Sequence, residues 1–90
     1  MKGLFIINPS SGRQNFADKV KEIAGLLIVN QICNTIDVFY TEKQDDALNR
    51  AASLEKGQYD FVVAVGGDGT LNEVINGVVL SKSDTPVAVI

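Results

Sequence analysis

The chain has 90 residues, of which 46% are apolar and 21% are charged, so its composition is that of one small folded domain rather than a disordered segment. A net charge of −3 and the absence of lysine- or arginine-rich runs exclude a typical nucleic-acid-binding surface and a general attraction to anionic membranes. No apolar stretch reaches the about 20 residues of a spanning helix, and the lack of histidine excludes Ser-His-Asp triads and histidine zinc sites.

The first half of the chain alternates between predicted strands and helices. Leu4 to Asn8 is a short apolar run that ends at Asn8-Pro9, which predicts a strand followed by a turn. Apolar residues then recur at helical spacing and predict a helix over roughly 15 to 28, although residues 26–29 could equally be extended. Thr35 to Thr41 is rich in β-branched and aromatic residues, which predicts a second strand.

The same alternation continues in the second half. A helix is predicted over roughly 45 to 55, with Gly57 ending it, and the unbroken apolar run Phe61 to Val65 is typical of a strand buried on both faces. A third helix follows, and Pro86 to Ile90 predicts a fourth strand. The residues predicted to face the core from these two helices are Leu48, Ala51 and Ala52, and then Leu71, Val74, Ile75, Val78 and Val79.

This order of elements predicts an α/β fold with three layers, α/β/α, around a mainly parallel sheet with right-handed crossovers. Ligands of such sheets bind at the carboxyl ends of the strands, here 8–13, 41–44 and 66–70. Because domains rarely end on an apolar central strand such as Val89-Ile90, we expect residues 1–90 to be part of a larger domain. The open edge of that strand would also allow pairing with a second copy, giving a homodimer.

The segment from Gly66 to Thr70 carries the strongest chemical signal in the sequence. Three glycines between a buried strand and a helix let another group approach the backbone, and the helix start offers N–H groups and a positive dipole end, so the segment suits a phosphate. Thr70 adds a hydroxyl donor, whereas Asp68 would either face a metal carried by a nucleotide or bond to backbone amides. The alternative is a glycine-rich turn without a ligand. Asn72 stands where a dinucleotide fingerprint needs glycine or alanine, and no Walker lysine follows.

Residues 66–74, Gly-Gly-Asp-Gly-Thr-Leu-Asn-Glu-Val, resemble the signature of the diacylglycerol kinase catalytic domain, which bacterial lipid kinases and sphingosine kinases share. NAD kinases have the first five of these residues too, and phosphofructokinases have them loosely. The family's first strand ends in a motif similar to residues 8–13, Asn-Pro-Ser-Ser-Gly-Arg. Its second strand ends in a threonine before an acidic stretch, as Thr41 and 45–47 do here. The resemblance therefore covers nearly the whole chain.

The resemblance implies that the chain forms the N-terminal part of a phosphofructokinase- or NAD-kinase-like fold. It also implies that the parent protein uses ATP and Mg²⁺ to phosphorylate a lipid hydroxyl. The general base, most of the magnesium site and the lipid pocket would lie in a second, mostly β domain, so no catalytic residue and no metal ligand is assigned within 1–90. We expect a cytoplasmic protein, with a peripheral position at the inner face of the membrane. The nucleotide-binding residues that the resemblance implies are Asn8, Pro9, Ser10, Ser11, Gly12, Arg13, Thr41, Gly66, Gly67, Asp68, Gly69, Thr70, Leu71, Asn72 and Glu73.

Most of these residues also have a structural interpretation. Asn8-Pro9 is a common strand exit, Ser10 and Ser11 could cap a helix, Thr41 is a β-branched strand residue and Arg13 could be a surface cation. Asn72 and Glu73 fall in the predicted first turn of the third helix, where an acidic residue is favourable. Two other functions remain open for the parent protein: a soluble-metabolite kinase of the NAD kinase type, and a non-catalytic nucleotide-binding module.

Overall fold

The computed structural model describes residues 1–9, 16–31 and 34–90, with the side chains of all of these except 16–20 and 29. The described elements follow one another as strand and helix in strict alternation, as the sequence predicts. They are β1 (Lys2–Ile7), α1 (Phe16–Val29), β2 (Thr35–Tyr40), α2 (Asp46–Ala52), β3 (Phe61–Val65), α3 (Asp68–Ser81) and β4 (Val87–Val89). Helix α1 continues to Val29, so residues 26–29 are helical rather than extended.

The strands form one parallel sheet in the order β2-β1-β3-β4. Strand β1 lies in the middle, and its last residue, Ile7, pairs with Tyr40 of β2 and Val65 of β3. The carboxyl ends of these three strands are therefore level with one another. The predicted parallel α/β architecture is confirmed.

Helices cover both faces of the sheet, as right-handed crossovers require for this strand order. Because side chains alternate along a strand, Leu4 and Ile6 of β1 point to one face and Phe5 and Ile7 to the other. The first face packs against α2 and α3, with Ala51 and Val74 fully buried. The second face packs against α1 through Ile23 and Leu27. The three predicted layers are thus present, with the core on both sides of β1 and β3.

Helix α2 is shorter than predicted and ends at Ala52, five residues before Gly57. The hydroxyl of Ser53 donates to the carbonyl of Arg50 at 2.7 Å, and the Ser53 amide bonds to the same carbonyl, so the last turn is closed locally. Gly57 has a φ of +81° in a separate turn, where it does not end the helix. Its predicted role as the helix terminator is wrong.

Helix α3 begins at Asp68, inside the glycine-rich motif and earlier than the apolar spacing indicates. Asn72 and Glu73 therefore lie in its second turn, not its first. The buried stripe is Thr70, Val74, Gly77 and Val78, whereas Ile75 and Val79 are 42% and 69% exposed, contrary to the prediction. The reason is Gly77, which lets α3 lie close against α2 and turns the face around Val74 and Gly77 inward.

Candidate functional site

The strand order creates a crevice at the carboxyl ends of β1 and β3. The chain leaves β1 towards β2 on one side and leaves β3 towards β4 on the other, which is the topological switch point where parallel sheets bind ligands. The sheet hydrogen bonding continues beyond the strands, because the amide of Asn8 donates to Val65 O at 2.9 Å and the amide of Thr41 donates to Ile7 O at 2.8 Å. These two bonds fix Asn8 and Thr41 side by side at the carboxyl ends of the strands.

A polar pocket of about 140 Å³ lies at this edge, between the first turns of α2 and α3. We call it the polar pocket. Its residues come from the ends of β1 and β2, the loop before α2 and the inner faces of the two helices. They are Asn8, Thr41, Glu42, Lys43, Gln44, Ala47, Thr70 and Glu73.

The glycine-rich loop borders the pocket through Thr70. Gly66 has a φ of +157°, a region that glycine occupies far more readily than other residues. Gly67 is extended and precedes α3, where the amide of Leu71 donates back to its carbonyl at 3.2 Å. No atom of the described residues lies within 4 Å of a Cβ built at Gly67 or Gly69, and Gly67 provides no side-chain cap. The described residues therefore leave the first-turn backbone of α3 open to an anionic ligand.

Residues 41–45, which we call the α2 entry loop, are held in shape by one carboxylate. Asp46 accepts hydrogen bonds from the amides of Glu42 at 2.8 Å and Lys43 at 3.0 Å. These bonds favour the ionised form and lower the pKa of Asp46 below its ordinary value. The loop thus presents Glu42, Lys43 and Gln44 to the pocket in a defined conformation.

Glu73 ties the two helices together at the pocket wall. Its Oε1 accepts a hydrogen bond from the amide of Leu48 at 3.2 Å, in the first turn of α2. That turn lacks a cap of its own, because Asp45 precedes it in a left-handed conformation and makes no side-chain bond to it. A carboxylate at a helix start is also favoured by the helix dipole.

The charges that line the pocket do not favour an anion. Among the described residues they are the carboxylates of Glu42 and Glu73 and the ammonium of Lys43, which leaves one net negative charge. Carboxylate and amide oxygens accept hydrogen bonds, so the pocket is suited to a ligand group that carries hydroxyl or amino donors. An anion would be better placed at the start of α3.

Four of the predicted nucleotide-binding residues line the pocket together: Asn8, Thr41, Thr70 and Glu73. The loop residues Gly66, Gly67, Asp68 and Gly69 lie beside it at the junction of β3 and α3. Pro9 and Asn72 are exposed, outside the set that lines the pocket. The side chain of Leu71 is partly buried and packs against the core. Ser10, Ser11, Gly12 and Arg13 lie outside the described residues.

Four pocket residues are not among those that the family resemblance implies: Glu42, Lys43, Gln44 and Ala47. A signal was present, because 41–44 follow a predicted strand at the edge where ligands bind. Ala47 gives no such signal, since its place depends on how α2 packs.

Taken together, the fold and the loop define a parallel α/β protein with a phosphate-type loop at the switch point of its sheet. Within the part of the chain that the structure describes, no cluster of three or more acidic or cysteine side chains could bind a metal ion. No described helix combines the length and the hydropathy needed to cross a membrane.

The chain belongs to the diacylglycerol kinase catalytic domain family, whose model matches residues 2–90. It is 37% identical over 73 residues to a diacylglycerol kinase of Staphylococcus haemolyticus, covering 81% of this chain and 22% of that protein. It is 36% identical over 87 residues to a ceramide kinase of Arabidopsis thaliana, covering 93% of this chain and 14% of that protein.

The fold is also similar to a solved structure. The crystal structure of a diacylglycerol kinase from Bacillus anthracis superposes with a TM-score of 0.82 at 26% identity, covering 99% of this chain and 32% of that one. The chain thus spans between about a seventh and a third of the relatives it matches. The family resemblance inferred from the three motifs is confirmed.

Proposed function

We propose that this chain is the nucleotide-binding part of an ATP-dependent lipid kinase, which transfers the γ-phosphoryl group of ATP to the hydroxyl of a lipid. The observation that carries the proposal is that two features lie next to each other at the carboxyl ends of the strands. An open helix start preceded by glycines adjoins a polar pocket lined by Asn8, Thr41 and Glu73. The family membership supplies the reaction class.

The charges suggest how ATP is divided between these features. The polar pocket, whose described residues carry one net negative charge, would take the ribose and base, whose hydroxyl and amino groups can donate to the side-chain oxygens of Glu42 and Gln44. The phosphates would lie across Gly67 and Gly69, where backbone N–H groups and the dipole of α3 favour negative charge. The hydroxyl of Thr70, at the border, would reach either part.

Magnesium would reach this site with the nucleotide. The exposed carboxylate of Asp68 is the one acidic group within the glycine-rich loop, and a single carboxylate next to nucleotide phosphates is an ordinary Mg²⁺ environment. The ion would supply neutralisation of charge on the phosphates. This assignment explains why an acidic residue stands in a loop that otherwise favours anions.

In the proposed reaction, the lipid hydroxyl oxygen forms a bond to the γ-phosphorus and the bond from that phosphorus to the β–γ bridging oxygen breaks. ADP leaves, and the hydroxyl proton passes to a base. We propose that the base and the lipid-binding surface belong to a further, mostly β domain of the full protein, and that residues 1–90 form only part of the ATP-binding domain. By this proposal residues 1–90 position ATP but are inactive alone.

A phosphotransfer assay with the full-length protein tests the proposal. The protein is incubated with labelled ATP, Mg²⁺ and vesicles containing diacylglycerol, ceramide or a sphingoid base, and phosphate is counted in the extracted lipid. We expect transfer to at least one of these lipids. No transfer to lipid, with transfer to NAD instead, would support the soluble-metabolite alternative, and ATP binding without any transfer would support a non-catalytic module. Turnover by residues 1–90 alone would contradict the proposal that the base and the lipid-binding surface belong to a further domain.

A matched pair of variants tests the phosphate loop itself. Gly69→Val places a branched side chain in the space where the phosphates would lie, whereas Gly25→Val makes the same change in α1, away from the site. Neither new Cβ meets an atom of the described part of the chain within 4 Å, so we expect both proteins to fold. We expect Gly69→Val to lose most ATP binding and Gly25→Val to keep it. Equal ATP affinity in the two variants would refute the placement of the phosphates.

A further inference from the structure

We infer that Glu73 is a positioning residue for the nucleotide site, which acts through α2 and not by touching the nucleotide. The inference rests on the proposed function, since it concerns the same site. It starts from the hydrogen bond that Glu73 Oε1 accepts from the amide of Leu48 at 3.2 Å. That bond spans from α3 to α2 across the wall of the polar pocket.

The Leu48 amide is a backbone donor that α2 cannot satisfy by itself. The first bond inside the helix runs from the amide of Asn49 to the carbonyl of Asp45, so the amide of Leu48 precedes the regular ladder. An N-cap side chain normally accepts such a donor, but Asp45 makes no cap bond here. Glu73 therefore acts as an N-cap supplied by another helix.

Leu48 of α2 contacts α3 at a second point, one turn further along that helix. A Cβ at Gly77 would lie 2.5 Å from the carbonyl oxygen of Leu48, so the backbones of α2 and α3 are in close contact at that point. Residues 73 and 77 are one helical turn apart on the same face of α3. Glu73 thus binds the N–H of Leu48 while Gly77 makes room for its C=O, which fixes both the distance and the register of the two helices.

The fixed position of α2 against α3 also determines the shape of the pocket, through a second carboxylate. Asp46, two residues before Leu48, holds the amides of Glu42 and Lys43 and thereby the α2 entry loop. Movement of the first turn of α2 would carry Asp46 with it and displace that loop. Glu73, Leu48, Asp46 and the loop form a continuous chain of bonds, by which α3 sets the position of the opposite pocket wall.

Hydrogen exchange in the absence of nucleotide tests the first link. In Glu73→Ala we expect the Leu48 amide to exchange roughly 10- to 100-fold faster, the range for a lost bond to a charged acceptor. Glu73→Gln retains an acceptor oxygen and should stay close to the unmodified protein. Glu22→Ala, which removes an exposed glutamate of α1, is the matched control and should leave Leu48 unchanged. Unaltered exchange in Glu73→Ala would overturn the inference.

A double-mutant cycle in the full-length protein tests the second link. We expect Glu73→Ala and Asp46→Ala each to raise the KM for ATP by roughly three- to thirtyfold, with kcat nearly constant, because neither touches the nucleotide. In the double variant the two effects should not add, since both changes release the same loop. Additive effects on KM would overturn the inference and mean that Glu73 contacts ATP directly. If the unmodified protein neither binds nor uses ATP, the proposed function fails, and the exchange experiment alone decides the role of Glu73.

Discussion

The close contact between α2 and α3 can be tested by adding one methyl group. In Gly77→Ala the new Cβ would lie 2.5 Å from Leu48 O, 2.6 Å from Ala51 Cβ and 3.0 Å from Ala52 N. Carbon atoms pack at about 3.5 to 4.0 Å, so the helices would have to separate by about 1 Å. Two of the three obstacles are backbone atoms of a helix, which cannot turn away as a side chain could.

The expected change in the free energy of unfolding follows from two opposing effects. Overpacking of a close contact costs about 1 to 3 kcal/mol, whereas replacing glycine by alanine inside a helix contributes up to about 1 kcal/mol of stability. Gly25→Ala in α1 isolates the second effect, because a Cβ at Gly25 meets none of the described atoms within 4 Å. The difference in unfolding free energy between the two variants should therefore be about 1 to 3 kcal/mol.

Urea unfolding monitored by circular dichroism measures this difference directly. We expect Gly25→Ala to be at least as stable as the unmodified protein, and Gly77→Ala to be less stable than Gly25→Ala with a similar slope. The unfolding midpoint, not the slope, should change, because a local contact is altered and the surface exposed on unfolding is not. Equal midpoints for the two variants would show that α2 and α3 do not approach as closely as described.

Three further predictions concern other contacts. Tyr59→Phe removes the hydroxyl that donates to Asp37 and should destabilise the protein by about 1 kcal/mol. Burial and this bond raise the pKa of Tyr59. The stability they contribute is therefore present below pH 10 and is lost as the pH rises through the higher folded pKa. Alkaline unfolding, with Tyr59→Phe as the control, would detect this loss. Gly3→Ala should cost less than Gly77→Ala, because its Cβ meets the ring of Phe61, which can turn aside; Phe61→Leu should remove most of that cost in a thermal melt. The lowered pKa of Asp46 means that its hold on two loop amides is present above its ordinary pKa of 3.8 and is lost as the pH falls through the lower folded value. Faster exchange of those amides, relative to the rest of the protein, should appear only below pH 3.8; their uniform protection to lower pH would contradict the role of the carboxylate.

The sequence was sufficient to predict the class of fold because its periodicities are simple. Phe61 to Val65 is apolar at every position, which is typical of a strand covered on both faces, and all but Phe61 are buried. The glycine-rich loop could be placed at a strand end for the same reason. Which helix covers which face follows from the strand order, and the order of parallel strands is not encoded in any single segment.

The errors in the helices have a common physical origin. Periodicity counts apolar side chains, so it favoured Ile75 and Val79 over Thr70 and Gly77, although the latter two are buried. A glycine signals a close helix contact only when the partner helix is known, and a threonine signals a pocket wall only when the pocket is known. For the same reason the sequence predicts 41–44 as a ligand-binding strand end, but only Thr41 of these four residues is singled out by the family resemblance, although all four line the pocket.

The position of the pocket can be derived from the strand order and one feature of the register. In the order β2-β1-β3-β4, the chain leaves β1 and β3 in opposite directions, so no crossover covers the gap between their carboxyl ends. Since Ile7 is level with both Tyr40 and Val65, the residues that follow these three strands reach the gap at the same height. A shift of β2 by one residue would turn Thr41 to the other face of the sheet and break the bond from its amide to Ile7. The site therefore depends on the register of buried apolar strands, and substitutions in β2 that alter this register should reduce nucleotide binding even where they touch no pocket residue.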